Sequence, residues 1–298
     1  MSIAWLFPGQ GSQKLGMAES LIAVPGAKER FKVASELLGR DLWKICNKAG
    51  SDPDQTNALD DTINTQPALF VVESLLIDDL KRQGREPLMV AGHSLGEIVA
   101  LYAAEVFDME TALNLLKKRS ELMAAAGGGA MAAVLGFERG QLDEIVESIE
   151  GVVIANDNSD SQVVLSGSPD AVSLAVSRLK CKRVVPLNVS GAFHSPFMEN
   201  AAQLFSEELD KVSFKEASFP VLSNSDPVPT SDPELLKNKL KKQMTTGVRW
   251  RETMENIKKG GITNIVEIGP GNVLSGLAKR SLKGISINQI SNANDLGY

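Results

Sequence analysis

Gly92-His93-Ser94-Leu95-Gly96 carries the Gly-x-Ser-x-Gly spacing that places a serine at the tip of a sharp strand-to-helix turn. An apolar run precedes it and a helical pattern follows it, which is the context this motif needs. Gly92 and Gly96 leave room for the turn. The helix that follows would point its free amides and positive dipole end at a developing oxyanion, with the Leu95 amide the natural donor. The chemistry is nucleophilic acyl transfer.

Such a serine needs a base. The chain has two histidines, His93 and His194. His93 adjoins the serine in a strained turn and is expected to point elsewhere. That leaves His194, in the segment Val189-Ser190-Gly191-Ala192-Phe193-His194-Ser195-Pro196, as the candidate base, against the plainer reading of a helix-capping or surface histidine. A hydrolase of this type carries its acid between serine and histidine. Here Asp157 and Asp160 lie in a polar turn, and neither has a position typical of a triad acid. A backbone or amide carbonyl is the alternative support for the imidazole.

A third candidate is Arg119. On a helix over Asp108–Ala126, residues Ala112, Leu115, Leu116, Leu122 and Met123 share one side, and Asn114, Lys117, Lys118 and Glu121 the other. Arg119 falls in the middle of the apolar side, where a charge is costly without a partner. It is either half of a structural salt bridge or a guanidinium aimed at a substrate carboxylate through two hydrogen bonds. A carboxylate clamp would also reject acetyl, which leaves the arginine unpaired.

The elements that must position these residues follow from pattern. Short apolar runs at Ile3–Phe7, Leu88–Ala91, Pro220–Ser223, Asn264–Ile268 and Ile285–Ile290 read as buried parallel strands. Helical patterns at Gly96–Phe107, Asp108–Ala126, Ser195–Lys211 and Val273–Leu282 separate them. Between them, strand Ala130–Leu135, helix Gln141–Ile149, strands Val152–Ala155 and Gln162–Ser166 around a turn at Asn156–Ser161, helix Pro169–Lys180 and strand Arg183–Val189 give the order β-α-β-β-α-β. Gly127, Gly128 and Gly129 mark the entrance. The expected fold is α/β: an α/β-hydrolase-like large domain with a parallel sheet, residues 1–127 and 193–298, and an inserted ferredoxin-like small domain, residues 128–192. His194 then sits at the exit of the insert, on a cleft between domains.

Composition narrows the function class. The 298 residues are 43% hydrophobic, enough for a core, and the net charge of -6 argues against a general nucleic-acid role. Cys46 and Cys181 sit in no metal-ligand or disulfide pattern and read as reduced core residues. No apolar run is long enough to span a bilayer, and the start of the chain has neither a basic n-region nor an Arg-rich presequence, so a cytoplasmic protein is expected.

Taken in order, Phe7-Pro8-Gly9-Gln10-Gly11-Ser12-Gln13, the Ser94 elbow with Glu97, Arg119, Gly128-Gly129-Ala130-Met131, Gly191-Ala192-Phe193-His194-Ser195 and Glu267-Ile268-Gly269-Pro270-Gly271 resemble the malonyl-CoA:acyl-carrier-protein transacylases of fatty acid synthesis over nearly the whole chain. The resemblance implies Ser94 as nucleophile, His194 as base, Gln10 as a second oxyanion amide beside Leu95, and Arg119 on the malonyl carboxylate. It implies that Gln243 lends a carbonyl to His194, although this chain has Gly247 where the family often has proline. Phe193 would crowd the space of an α-methyl group, and Asn158 and Gln162 would line the pocket or form a plain asparagine turn. The implied partners are malonyl-CoA and acyl carrier protein, with no cofactor or metal, and a monomer is expected. Lys237, Lys239, Lys241 and Lys242 are a candidate docking patch for an acidic carrier, or a solvated helix face. Competing readings are an esterase or thioesterase, a transferase serving a polyketide assembly line, and a non-catalytic carrier-binding module.

Overall fold

The computed structural model describes residues 2–47, 58–189 and 191–298. Ser190, quoted above in the segment around His194, lies outside the described residues. Two sheets organise the chain. The first is parallel throughout, in the order β7-β2-β1-β8-β9, with β1 Ile3–Phe7, β2 Met89–Gly92, β7 Val221–Leu222, β8 Asn264–Ile268 and β9 Ser286–Ile290. The pleat sends alternate side chains to opposite faces. Trp5, Phe7, Val90 and Val266 enter one core, and Ala4, Leu6, Met89, Ala91 and Ile265 enter another. The first core is covered by α3 Thr62–Arg82, α4 Gly96–Ala103, α5 Met109–Ala125 and α8 Glu199–Asp210, with α1 Ala27–Leu38 and α2 Leu42–Cys46 at its margin. The second is covered by α10 Trp250–Lys259 and α11 Val273–Ser281. A strand buried on both faces has no polar side, which is why β1 and β2 read as unbroken apolar runs.

The second sheet is antiparallel, in the order β4-β5-β3-β6, with β3 Ala130–Phe137, β4 Val152–Ser159, β5 Gln162–Gly167 and β6 Cys181–Pro186. Helices α6 Arg139–Ser148 and α7 Pro169–Arg178 cover one face, where Ala132 and Val134 pack with Leu142, Val172 and Ala175. Met131, Ala133, Ala155 and Val164 join the main core from the other face. The structure is therefore mixed α/β, with a parallel sheet and a separate antiparallel one.

Several expected boundaries move. The turn expected at Asn156–Ser161 shrinks to Asp160–Ser161, because β4 continues to Ser159 through register shifts between Ile154 and Asn156 and between Asp157 and Ser159. Strand β6 starts two residues earlier than expected and stops at Pro186. The helix expected from Ser195 opens as a 3-10 turn at Pro196–Met198, capped by the Ser195 hydroxyl, before α8 begins.

Helix α3 did not stand out in the sequence, because Pro67 lies inside it and normally breaks the ladder at the carbonyl four residues back. Here that carbonyl, Ile63 O, accepts from Arg40 Nη2 at 2.6 Å. The freed acceptor is satisfied and the helix runs on to Arg82. Among the described residues no helix is long and apolar enough to cross a membrane.

Candidate active site

Strand β2 ends at Gly92, and the chain reverses into α4 through Ser94, whose φ is 56°. A Cβ on Gly92 would lie 1.8 Å from the Gly96 carbonyl oxygen, and one on Gly96 2.2 Å from that of Phe7. Only glycine fits at either position. Ser94 Oγ lies 2.8 Å from His194 Nε2. His194 Nδ1 lies 2.9 Å from the Gln243 backbone carbonyl oxygen. A carbonyl only accepts, so Nδ1 carries the proton and Nε2 is left with the lone pair that faces the serine hydroxyl. Burial, reinforced by the Arg119 charge, pushes the imidazole from its ordinary value of 6.5 down to about 3. His194 rests as a neutral base.

Among the described residues no triad acid stands at this imidazole. Asp157 is taken by Arg139 at 2.7 Å and by Arg251 at 3.0 Å, and the Asp160 side chain is 96% exposed. The backbone carbonyl of Gln243 stands where that acid would.

Arg119 is 1% exposed. Its Nη1 donates to Gln66 Oε1 at 2.7 Å, and its Nη2 to Gln243 Oε1 at 3.0 Å and to Ser94 Oγ at 3.2 Å. No carboxylate pairs with it among the described residues, so the salt-bridge alternative does not hold. Its Nε is buried without a partner. Burial lowers the guanidinium to about 10 against the opposing pull of Glu97. Gln243 links these groups: its Nε2 donates to the Ser94 carbonyl and to Glu97 Oε2, each at 2.8 Å.

Ser94, His194, Arg119, Gln10, Leu95 and Phe193 line one cavity of about 90 Å³. An adjoining cavity of about 260 Å³ shares Gln10, Val189 and Phe193 with it and adds Asp60, Asp61 and Asn188. The backbone amides of Gln10 and Leu95 make no hydrogen bond within the described residues. Two unspent donors beside a nucleophile form an arrangement suited to an oxyanion.

Two expected pocket residues lie elsewhere. Asn158 Oδ1 accepts from His93 Nε2 at 2.9 Å, so its carbonyl oxygen is spent on the half-buried histidine; Asn156, two residues earlier on the same strand, lines the cavity instead. Gln162 Oε1 accepts from Arg280 at 3.0 Å on the outer surface. The lysine patch is also largely committed. Lys239 pairs with Asp226 at 3.1 Å, Lys241 with Asp210, and Lys237 Nζ stands 5.3 Å from the Phe214 ring centre. The sequence reading missed Gln66 and Asn224. Both are buried polar residues that bond to the site, Gln66 to Arg119 and Asn224 to the elbow. Each only borders an apolar run, Gln66 before Pro67–Val72 and Asn224 after Val221-Leu222, with polar neighbours on its other side, so the sequence carried no distinctive signal for either.

The acyl transferase domain family matches residues 4–297. The chain belongs to that family. As an acyl transferase it is 48% identical over 296 residues to a malonyl CoA-acyl carrier protein transacylase of Synechocystis sp., covering 99% of both chains. The crystal structure of a Synechocystis malonyl-CoA:ACP transacylase superposes with a TM-score of 0.95 at 48% identity, again over 99% of each chain. The acyl transferase is also 40% identical to the polyketide biosynthesis malonyl CoA-acyl carrier protein transacylase PksC of Bacillus subtilis, covering 94% of this chain and 97% of that one. A type II polyketide acyl-carrier protein in complex with its malonyl-transacylase matches with a TM-score of 0.93 at 35% identity, over 99% of this chain and 98% of that one.

Proposed function

We propose that this acyl transferase moves the malonyl group of malonyl-CoA to the phosphopantetheine thiol of acyl carrier protein through an ester on Ser94, supplying the extender unit of fatty acid synthesis. The observation that carries it is the convergence of Ser94 Oγ, 2.8 Å from a neutral His194 and 3.2 Å from a buried Arg119 that has no carboxylate of its own.

The cycle runs in two half-reactions. His194 Nε2 takes the Ser94 proton as Oγ attacks the thioester carbonyl, with the Gln10 and Leu95 amides on the oxyanion. The C–S bond breaks, and coenzyme A leaves as the thiol with the proton from His194. The carrier thiol then gives its proton to His194 and attacks the ester; the C–O bond breaks and Ser94 recovers a proton. Gln243 holds the base through its backbone carbonyl. Arg119 binds the malonyl carboxylate, and Phe193 limits branching at the α-carbon.

We further read the large sheet with its helices, residues 1–127 and 193–298, as an α/β-hydrolase-like domain, and residues 128–192 as a ferredoxin-like insert. The insert's β-α-β-β-α-β order, and its sheet with β3 between β5 and β6, favour that description. The two free thiols, Cys46 and Cys181, suit a reducing, cytoplasmic setting. The likeness to PksC favours one second reading, the same transfer onto a polyketide carrier protein.

The test is the intact mass of the protein after brief mixing with malonyl-CoA, with Ser94→Ala alongside. A malonyl adduct on the wild type alone, cleared by carrier protein, is expected. Steady release of coenzyme A and malonate without carrier protein would instead mean an esterase.

A further inference from the structure

We propose that Asn224 is a positioning residue for the nucleophile, whose carboxamide replaces the missing strand beside the elbow and holds Ser94 in register with His194. The proposal rests on the acyl-transfer reading above. Strand β7 pairs with β2 at Val90↔Val221 and Ala91↔Leu222, and the paired strand ends there. Extending the register sets Gly92 opposite Ser223 and His93 opposite Asn224. In a parallel ladder, the residue opposite His93 would donate to the carbonyl before it and accept from the amide after it. The Asn224 side chain makes both bonds. Its Nδ2 donates to Gly92 O at 2.6 Å, and its Oδ1 accepts from Ser94 N at 2.7 Å. A carboxamide carries the same donor and acceptor as a peptide group, so it can stand in for one.

The backbone of Asn224 is unavailable for that ladder because it is anchored elsewhere. Its N–H donates to Glu97 Oε2 at 3.0 Å, and its carbonyl accepts from Arg249 N at 3.0 Å. The residue is 1% exposed. On the other side of the elbow the ordinary ladder persists, with His93 N donating to Phe7 O at 3.0 Å. The turn is thus clamped by backbone on one side and by a side chain on the other.

The clamp acts at a strained residue. Ser94 holds φ at 56°, a region non-glycine residues seldom occupy, and such a conformation persists only when its surroundings over-determine it. Without Asn224, a buried carbonyl and a half-buried amide lose their partners and the turn is free to relax. The Leu95 amide follows Ser94 directly, so both the hydroxyl and the oxyanion donor depend on the same turn.

The experiment follows the pre-steady-state rate at which malonyl-CoA acylates Ser94 in the wild type, Asn224→Leu and Asn224→Asp. In Asn224→Leu the saturating rate should fall about 100-fold, the loss expected of a reacting atom displaced by about 1 Å. Its half-saturating malonyl-CoA concentration should stay within about threefold, because no substrate contact is removed. Asn224→Asp supplies the second arm. Ionised, it offers only acceptors to the Gly92 carbonyl; protonated, it regains a donor. Its rate relative to wild type should climb towards one as pH falls from about 8 to about 5. The titratable and charged neighbours are Glu97 at the Asn224 amide, Arg249 at its carbonyl, and His93, Arg119 and His194 around the elbow. All are common to wild type and variant, so the ratio isolates residue 224. A Leu variant within about threefold of the wild-type rate overturns the clamp, and so does an Asp variant still below about a tenth of wild type at the acid end. A wild type that takes up no acyl group overturns the acyl-transfer reading itself, which separates the two failures.

Discussion

Ser94 and His194 face each other at 2.8 Å, and both are held at a φ of 56°, the left-handed region that side chains other than glycine avoid. The proposed nucleophile and base each arrive on a strained backbone, from segments a hundred residues apart. Backbone strain on both partners of a reacting pair costs stability and persists only where the surroundings hold it. On the proposed reading neither residue is dispensable. His194→Ala should lower the acylation rate about 1000-fold, within the range for loss of a general base, while a Ser94→Ala protein should take no acyl group at all. Stopped-flow measurement of coenzyme A release in the first turnover reads both; a His194→Ala burst near the wild-type rate would assign the base elsewhere.

On the proposed reading, Arg119 separates substrates rather than driving chemistry in general. Among the described residues its buried guanidinium has neutral partners and an unpartnered Nε, so a substrate carboxylate would bring it an opposite charge in direct contact. Arg119→Ala should reduce malonyl transfer by about 100-fold or more, with acetyl transfer unchanged or raised. Parallel assays with malonyl-CoA and acetyl-CoA decide it. An equal loss for both acyl groups would mean that the arginine only props up Gln66 and Gln243.

The elbow, the histidine that meets its serine and the buried Arg119 were legible because each breaks a pattern: a Gly-x-Ser-x-Gly between strand and helix, a lone available histidine, a charge on an apolar face. The two sheets were legible from apolar runs and from β-α-β-β-α-β order. What stayed hidden depends on contacts between distant segments. Pro67 concealed α3 because the Arg40 guanidinium that satisfies Ile63 lies over twenty residues away. Asn158 and Gln162 looked like pocket residues because their segment resembles the family's Asn-rich one, but they lie on β4 and β5, on either side of the turn. The bulges in β4 decide that Asn156 lines the cavity and Asn158 meets His93. The lysines of α9 Pro233–Lys242 formed a patch in one dimension, but their partners Asp210, Phe214 and Asp226 come from elsewhere in the chain.

The buried base also predicts a pH dependence of stability. His194 titrates at about 3 in the folded chain against an ordinary value of 6.5. Between those values the unfolded chain binds the proton and the folded chain does not, so stability rises with pH across this window. The contribution is fully present above about 6.5 and is lost as pH falls towards about 3. Urea midpoints should therefore drop on acidification from neutral, and His194→Gln should flatten that drop, because glutamine has no proton to gain. Comparing the two slopes cancels groups common to both, including the buried Glu73, whose raised value acts in the opposite sense. The acylation rate should likewise show no break near 6.5, since the base is already neutral there. A wild-type rate that halves near the ordinary histidine value would contradict the buried, neutral imidazole.

Gly247 tests how the base is supported. A Cβ there would lie 2.6 Å from the Ile154 carbonyl oxygen. The backbone has little freedom to give way. Val248 N donates to Ala155 O at 2.7 Å and Asp157 N to Val248 O at 2.9 Å, which ties this segment to the free edge of β4. Four residues upstream, the same segment presents the Gln243 carbonyl to His194. Gly247→Ala should destabilise the protein by about 1–3 kcal/mol, the cost of overpacking, and should also lower the acylation rate because the carbonyl moves with its segment. Gly276→Ala is the control: it lies in α11 with nothing within 4 Å of the added carbon, and should be neutral or stabilising by about 0.5–1 kcal/mol. Urea unfolding and first-turnover kinetics on both variants read the two effects together. If Gly247→Ala lost stability but kept the wild-type rate, the hold on His194 would lie in Gln243 alone and not in the strip of chain that docks on β4.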